Sequence, residues 1–333
     1  MATNRIFYAV QAVGIAPDDD IANVKWMHGM QSVGITTNFN LEQIFELGQL
    51  ALYQNIENIA EIEVTTERVL DGNPTTYGTA VGASNAANNI VVSAAQKAGL
   101  FLIIYPDTNT AATGTNGASL VYCSGMYPSN ITYTFPVEGN STESVTFVGN
   151  NKFWSDSPSG QLPTAIWPSG TTYSGINETS YDSPLNTVFR RQHFLPYTAS
   201  GTKIPAEVTK ATNGAISKLQ TITVTADIGR ENIFQLGSFL PYVKYANFPV
   251  AVTCDFEVIS TSGDWVSTSG DNFALSDREI ALKFYNGAHT LFLELGTRNK
   301  LTSVNYTGGD TGGGNATMTF SYQGFNAFKV TQG

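Results

Sequence analysis

Two segments of the chain alternate apolar and polar residues with a period of two. In EIEVTTERV (61–69), Ile62 and Val64 alternate with Glu61, Glu63, Thr65 and Glu67, and QTITVTADI (220–228) repeats the pattern. That period belongs to a strand with one buried face and one wet face. The longest uninterrupted apolar run, Leu100 to Tyr105, falls far short of the ~20 residues a membrane-spanning helix needs, so no membrane insertion is expected. Helix signals are few. Ser276-Asp277-Arg278-Glu279 has the form of a capping box, Ile280, Leu282 and Phe284 follow, and Gly287 can close the element in the left-handed conformation, which predicts a helix there. A counterpart is expected from about Ser84 to Lys97, ending at Gly99. The fold class that follows is mainly β (α+β): tandem β-sandwich or barrel domains, each with one flanking α-helix.

The chain also repeats itself. Residues 30–53, MQSVGITTNFNLEQIFELGQLALY, align with 219–242, LQTITVTADIGRENIFQLGSFLPY, at a constant offset of 189. The match pairs Gln31 with Gln220, Thr36 with Thr225, Glu42 with Glu231, Ile44-Phe45 with Ile233-Phe234, Leu47-Gly48 with Leu236-Gly237, and Tyr53 with Tyr242. Two later landmarks keep the order: Leu100-Phe101-Leu102 with Leu291-Phe292-Leu293 at offset 191, and Thr146-Phe147 with Thr319-Phe320 at offset 173. Self-similarity at this spacing reads as a tandem duplication, with one copy over 1–150, a connector over 151–190 and a second copy over 191–333. The connector is rich in Ser, Gly, Pro and Thr, the composition of a long loop. Its Trp154, Trp167, Tyr173 and Tyr181 fit packing either on a neighbouring domain or subunit or on its own domain's surface.

Charge changes the picture in one place. The 333 residues carry a net charge of −10 with only 13% charged side chains, which excludes a charged disordered chain, a coiled coil and a histone-like nucleic-acid binder. Residues 1–150 hold 4 basic and 13 acidic groups, whereas 151–333 hold 13 and 14, so the acidity is local. Much of it lies between Glu42 and Asp71. The N-terminal MATNRIFYAV lacks the pattern of a signal peptide. Cys123 and Cys254 alone fit two free thiols in a reducing compartment, and Asn-x-Ser/Thr sites such as that at Asn130 arise by chance in so Thr- and Asn-rich a chain.

Constellations for catalysis are missing from the sequence. His28, His193 and His289 have no metal-ligand spacing, and GGDTGGG (308–314) lacks the Lys-Ser/Thr ending of a phosphate loop and reads as a hairpin tip. Glu61/Glu63 and Asp255/Glu257 stand two apart on strands, so each pair lines one face instead of spanning a cleft as glycoside hydrolysis requires. Neither a GxSxG elbow nor a Cys beside a His occurs. A non-enzymatic protein without metal or cofactor is the expectation.

The segment VGITTNFNLEQIFELGQLALYQNIENIAEIEVTTERVLDG (33–72), followed by a helix-Gly-strand element and the hairpin LTSVNYTGGDTGGGNATMTFSYQG (301–324), resembles the tail tube proteins of tailed bacteriophages. The resemblance implies a virion protein, assembled in the host cytoplasm, whose rings stack into a hollow tail tube that conducts DNA. It implies as partners other copies of the chain, the tape-measure, tail-terminator and baseplate proteins, and in some tails a sheath, with only transient passage of DNA. The family's usual subunit has one such domain. A duplicated subunit would close a ring with three chains in pseudo-sixfold symmetry.

Within that reading, Glu61, Glu63, Glu67, Asp255 and Glu257 are candidates to line the bore, where like charge keeps phosphates from sticking. An outer wall facing solvent or ring-to-ring ion pairs is the alternative. Asp71, Asn73, Tyr77, Trp265, Gly309 and Asp310 are candidates for ring stacking. Two other readings stay open: a tail-end or baseplate hub protein of the same duplicated fold, and a carbohydrate-binding β-sandwich favoured by the aromatic connector.

Overall fold

A computed structural model gives the architecture; it describes residues 6, 8–18, 24–48, 50, 52–71, 75–80, 90, 96–106, 108, 119–155, 188–195, 201–211, 218–261, 263–264, 266, 276–287 and 289–332. The alternating segments form β6 (Glu61–Val69) and β11 (Leu219–Asp227), and β6 buries every second residue as its sequence requires. They belong to one antiparallel sheet. Its main run is β3 (Met30–Asn38), β6, β9 (Thr142–Gly149), β8 (Ser119–Pro136), β11, β14 (Ala251–Ile259), β18 (Thr317–Phe325) and β17 (Lys300–Thr307). The chain is mainly β, as expected.

The long β8 serves two layers. Its second half sits in the main run between β9 and β11, while its first half pairs with β7 (Ala98–Ile104) and β10 (Asn151–Ser155). On β7 lies β1 (Gln11–Pro17), followed by β2 (Lys25–Trp26). The second half of the chain builds its own layer from β15 (Ala281–Tyr285), β16 (Thr290–Glu294) and β19 (Lys329–Gln332). One apolar core runs unbroken through both halves, from Val13 and Ile15 through Phe147, Val224 and Phe256 to Phe320 and Val330. Two hairpins leave this body: β4 (Leu41–Phe45) with β5 (Leu52–Glu57), and β12 (Arg230–Ile233) with β13 (Val243–Ala246).

Residues 281–285 form a strand, where the capping box predicts a helix. Ile280, Leu282 and Phe284 are all buried, and their spacing of two suits a strand on the core. Arg278 meanwhile bonds to Glu207 and makes a bridge to Asn299, so the box has no helix to cap. Gly99, the expected end of the first helix, lies inside β7, and most of 84–97 falls outside the described residues. The helices among the described residues are short: α1 (Thr75–Ala80) and α2 (Ala206–Ala211).

Strand pairing aligns the halves more closely than the sequence does. β3 and β11 each carry an irregularity at the same point of the 189 offset, between Met30 and Ser32 and between Leu219 and Thr221. β8 and β17 do likewise between Pro128 and Asn130 and between Leu301 and Ser303, at offset 173. Ile62 faces Gly149 and Val252 faces Gly324, so β9 corresponds to β18 at offset 175. That moves the partner of Phe147 from Phe320 to Tyr322. The match of 100–102 with 291–293 also shifts. Leu120 of β8 faces Ser155 of β10 as Leu293 of β16 faces Val330 of β19, so β16 corresponds to the start of β8, and β15 to β7.

The first five residues of the expected connector are not loop: they form β10, Asn151–Ser155, which pairs with β8. Its far end is tied to the first half, where Phe189 is buried and exchanges backbone hydrogen bonds with Leu70 and Ser141. Trp167, Tyr173 and Tyr181 lie outside the described residues; Trp154 is exposed on β10.

Both cysteines are buried and free. Burial pushes the Cys123 thiol up to about 11 and raises that of Cys254 as well. A thiol reagent at pH 8 should therefore modify the folded chain slower than the unfolded one by about two orders of magnitude or more, measured by mass spectrometry of alkylated protein. Rapid labelling of Cys123 in the folded chain would show its strand open to water.

Candidate assembly surface

The main sheet turns one face to the core and the other to solvent, because residues two apart on a strand share a face and opposed residues on neighbouring strands do too. On β6 the outward residues are Glu61, Glu63, Thr65 and Glu67, opposite Asn38, Thr36, Gly34 and Ser32 of β3. Across the other edge of β6 the face continues with Val148, Thr146, Ser144 and Thr142 of β9, then Asn130, Thr132 and Thr134 of β8. It crosses into the second half without a break through Asp227, Thr225, Thr223 and Thr221 of β11. Asp255 and Glu257 of β14 follow, then Ser321 and Thr319 of β18 and Ser303, Asn305 and Thr307 of β17.

All five acidic candidates thus stand on one face of one sheet, and Asp227 joins them. Hydroxyls and amides fill most of the remaining positions. Lys300 is the cation in this register among the described residues, and its Nζ lies 3.5 Å from Asp277 Oδ1 at the sheet margin. Two other cations near the hairpin base are engaged in packing. Arg230 Nε donates to Pro128 O at 2.8 Å and its guanidinium sits 5.2 Å from the Tyr127 ring, with burial lowering its pKa to about 10. Lys244 is lowered by burial, against the opposing pull of Glu61. The face is therefore an acidic, hydrogen-bonding surface.

The stacking candidates fare differently. Tyr77 is buried, its hydroxyl donating to Phe328 O at 2.9 Å and its ring edge-on to Phe328, so it is a core residue and cannot project toward another ring. Asp71 is nearly buried, 3.9 Å from Arg68. Gly309 and Asp310 are exposed at the β17–β18 tip, where Asp310 Oδ1 accepts from Gly314 N at 2.9 Å. Asn73 and Trp265 lie outside the described residues.

A different pair of projections carries the exposed apolar surface. The β4–β5 hairpin shows Leu41, Phe45, Leu47, Leu50 and Tyr53 to solvent, and β12–β13 shows Ile233, Phe234, Leu236, Phe239 and Tyr242. Leu47 is 103% and Leu236 104% exposed, so neither touches its own domain. Gly48 and Gly237 both have φ +85°, a left-handed turn that explains glycine at each tip.

No protein-family model matches the chain. No curated protein matches it either. Among solved structures, a chain of the cryo-EM structure of the anti-feeding prophage (AFP) baseplate, 6-fold symmetrised, is similar over 46% of this chain and 97% of its own length, at 11% identity and a TM-score of 0.33. Similarity at that level assigns no function.

The hairpins were within reach of the sequence. IFELGQLALY and IFQLGSFLPY are the best-matched stretches of the repeat, and the signal lay in apolar residues kept beside a glycine where a soluble loop would be polar. Among the described residues no group of three or more His, Cys, Asp or Glu could hold a metal, and no helix is long and apolar enough to cross a membrane. His193 Nδ1 accepts from its own turn at Arg190 N, 3.1 Å away.

Proposed function

We propose that this chain is a non-enzymatic virion protein whose copies join into rings stacked as the hollow tail tube of a bacteriophage, with the acidic sheet face toward the bore. The observation that carries the reading is the single sheet in which β3-β6-β9-β8 and β11-β14-β18-β17 repeat one another strand by strand and join edge to edge. We read the two runs as duplicated domains. A head-to-tail join that leaves the same two edge types at the ends generates a ring when the rotation closes.

Magnitude favours three chains. Eight strands per chain at ~4.8 Å spacing give three chains a circumference of about 115 Å and a backbone diameter of about 37 Å before tilt widens it. Side chains of ~6 Å on each side leave a bore of about 25 Å, room for a DNA duplex about 20 Å wide. In the virion the tube would meet tape-measure, terminator and baseplate proteins, and DNA only in passage. The exposed hairpins support the reading because apolar patches of this kind are covered in assemblies.

Electron microscopy of the purified chain tests it. Long hollow polymers with three chains per ring are expected. Six chains per ring would overturn the trimer, discrete rings alone would favour a tail-end protein, and monomers that bind glycans would overturn the tube. Leu47→Asp with Leu236→Asp should leave the subunit's stability within about 0.5 kcal/mol, since neither side chain touches the fold, while cutting polymer mass at least tenfold in sedimentation. Polymers of normal length from this variant would remove the hairpins from the stacking contact.

A further inference from the structure

The chain contains, within itself, the junction that a neighbouring copy would make. β8 and β11 pair antiparallel from Asn130 opposite Asp227 to Thr134 opposite Thr223 and Pro136 opposite Thr221. Backbone bonds from Val137 N to Gln220 O at 2.7 Å and from Ile228 N to Ser129 O at 2.9 Å extend this ladder at both ends. β8 is the last strand of the first run and β11 the first strand of the second. Their counterparts are β17 and β3, related by offsets of 173 and 189 and by the shared irregularities described above.

Among the described residues β17 pairs only with β18, and β3 only with β6. An open strand edge is a template for another chain. The side chains fit that vacancy. Tyr133 of β8 is 0% exposed, covered in part by Phe328 at 5.9 Å between ring centres, whereas its counterpart Tyr306 of β17 is 38% exposed. At the other edge an apolar groove opens between β3 and the second layer, lined by Val13, Val33, Ile35, Val64 and Leu100. At the internal junction the matching space holds Phe135 of β8, stacked on Phe284 at 4.1 Å. The 173 offset puts Gly308 at that position, so the side chain left to fill the groove is that of Tyr306, two residues earlier on the same face.

We propose that β17 of one chain pairs antiparallel with β3 of the next in the internal junction's register. Asn305 then stands opposite Thr36, Ser303 opposite Asn38, and Val304 opposite Thr37. Tyr306 lies beside Ile35 and enters the groove. The occupant is a second copy of this chain, because the groove, the bare tyrosine and both edges are supplied by the chain itself. The pairing rests on the ring reading and fixes the contact that closes it.

Paired cysteines in the full-length assembled protein test the register. Two double variants are compared, Thr36→Cys/Asn305→Cys and Thr37→Cys/Val304→Cys; adjacent opposed pairs alternate between hydrogen-bonded and non-hydrogen-bonded, so one of the two presents the closer geometry. Oxidation should give covalent trimers as the terminal species on non-reducing gels. Asn38→Cys/Asn305→Cys is displaced by two residues, a diagonal spacing of about 7–8 Å between residues whose Cβ atoms stay well beyond the ~4 Å of a disulfide, and should stay monomeric. Cys123 and Cys254 are buried and do not compete. Micrographs of the same samples separate the two ideas. Rings with no cross-link in either matched pair, or with cross-linking of the displaced pair, overturn the register and leave the tube standing; an unmodified chain that forms no rings overturns both. Tyr306→Ala should raise the concentration needed for assembly on the order of tenfold, and Tyr306→Phe should not. Equal assembly by both variants would remove Tyr306 from the groove.

Discussion

Replacing Arg68 with alanine is expected to destabilise the folded chain by about 3–5 kcal/mol, because it strands a buried carboxylate. Arg68 and Glu143 are each 1% exposed on neighbouring strands β6 and β9. Arg68 Nε donates to Glu143 Oε2 at 2.5 Å, and the Tyr133 hydroxyl donates to Glu143 Oε1 at 2.5 Å. Burial alone would lower the Arg68 pKa; Glu143 and Asp71 outweigh it and hold the guanidinium above its ordinary range. Tyr133 is raised by burial first and by Glu143 second.

The second half shows what the same positions do without charge. Val258 and Met318 occupy the equivalent opposed pair and are both buried. Arg68→Val with Glu143→Met should therefore recover most of the loss of either single change, leaving about 1–3 kcal/mol for the Tyr133 hydroxyl deprived of its acceptor. Adding Tyr133→Phe should remove that remainder. Urea denaturation of unassembled subunits measures each variant. A single change costing less than about 1 kcal/mol would mean that water reaches the pair.

Reversing the acidic face is the second large effect. Glu61→Lys with Glu63→Lys and Glu67→Lys places three cations where the face now carries three carboxylates, all exposed on β6. The unaltered chain should show no measurable DNA binding at moderate salt. The variant should bind duplex DNA and lose about 40-fold in affinity between 50 and 200 mM salt if each lysine meets one phosphate. In assembled tubes, DNA density should lie within the bore. DNA coating the outside instead would put this face on the outer wall.

Much of the fold was legible because β periodicity is local. Ile62 and Val64 alternating with glutamates specify which face of β6 is buried whatever pairs with it, and so place Glu61, Glu63 and Glu67 on one surface. The failed helix at 276–287 shows the limit. A capping box is also a local signal, but Ile280, Leu282 and Phe284 meet a core assembled from distant strands, and that burial outweighs the helix-start pattern. Tyr77, a ring-stacking candidate by its sequence, is buried against Phe328, 251 positions away. No neighbouring residue announces such a contact.

By itself the sequence determined the β class, the wet and dry faces of its clearest strands and the local acidity, and it aligned two segments at an offset of 189. The tertiary structure alone decided that the halves share one sheet and one core, that β9 matches β18 at 175 and not 173, and that the repeated hairpins point their leucines away from the body. The reason is physical. Side-chain alternation is fixed by the strand's own geometry, whereas register, irregularities and the choice of neighbouring strand depend on backbone bonds between segments far apart in the chain.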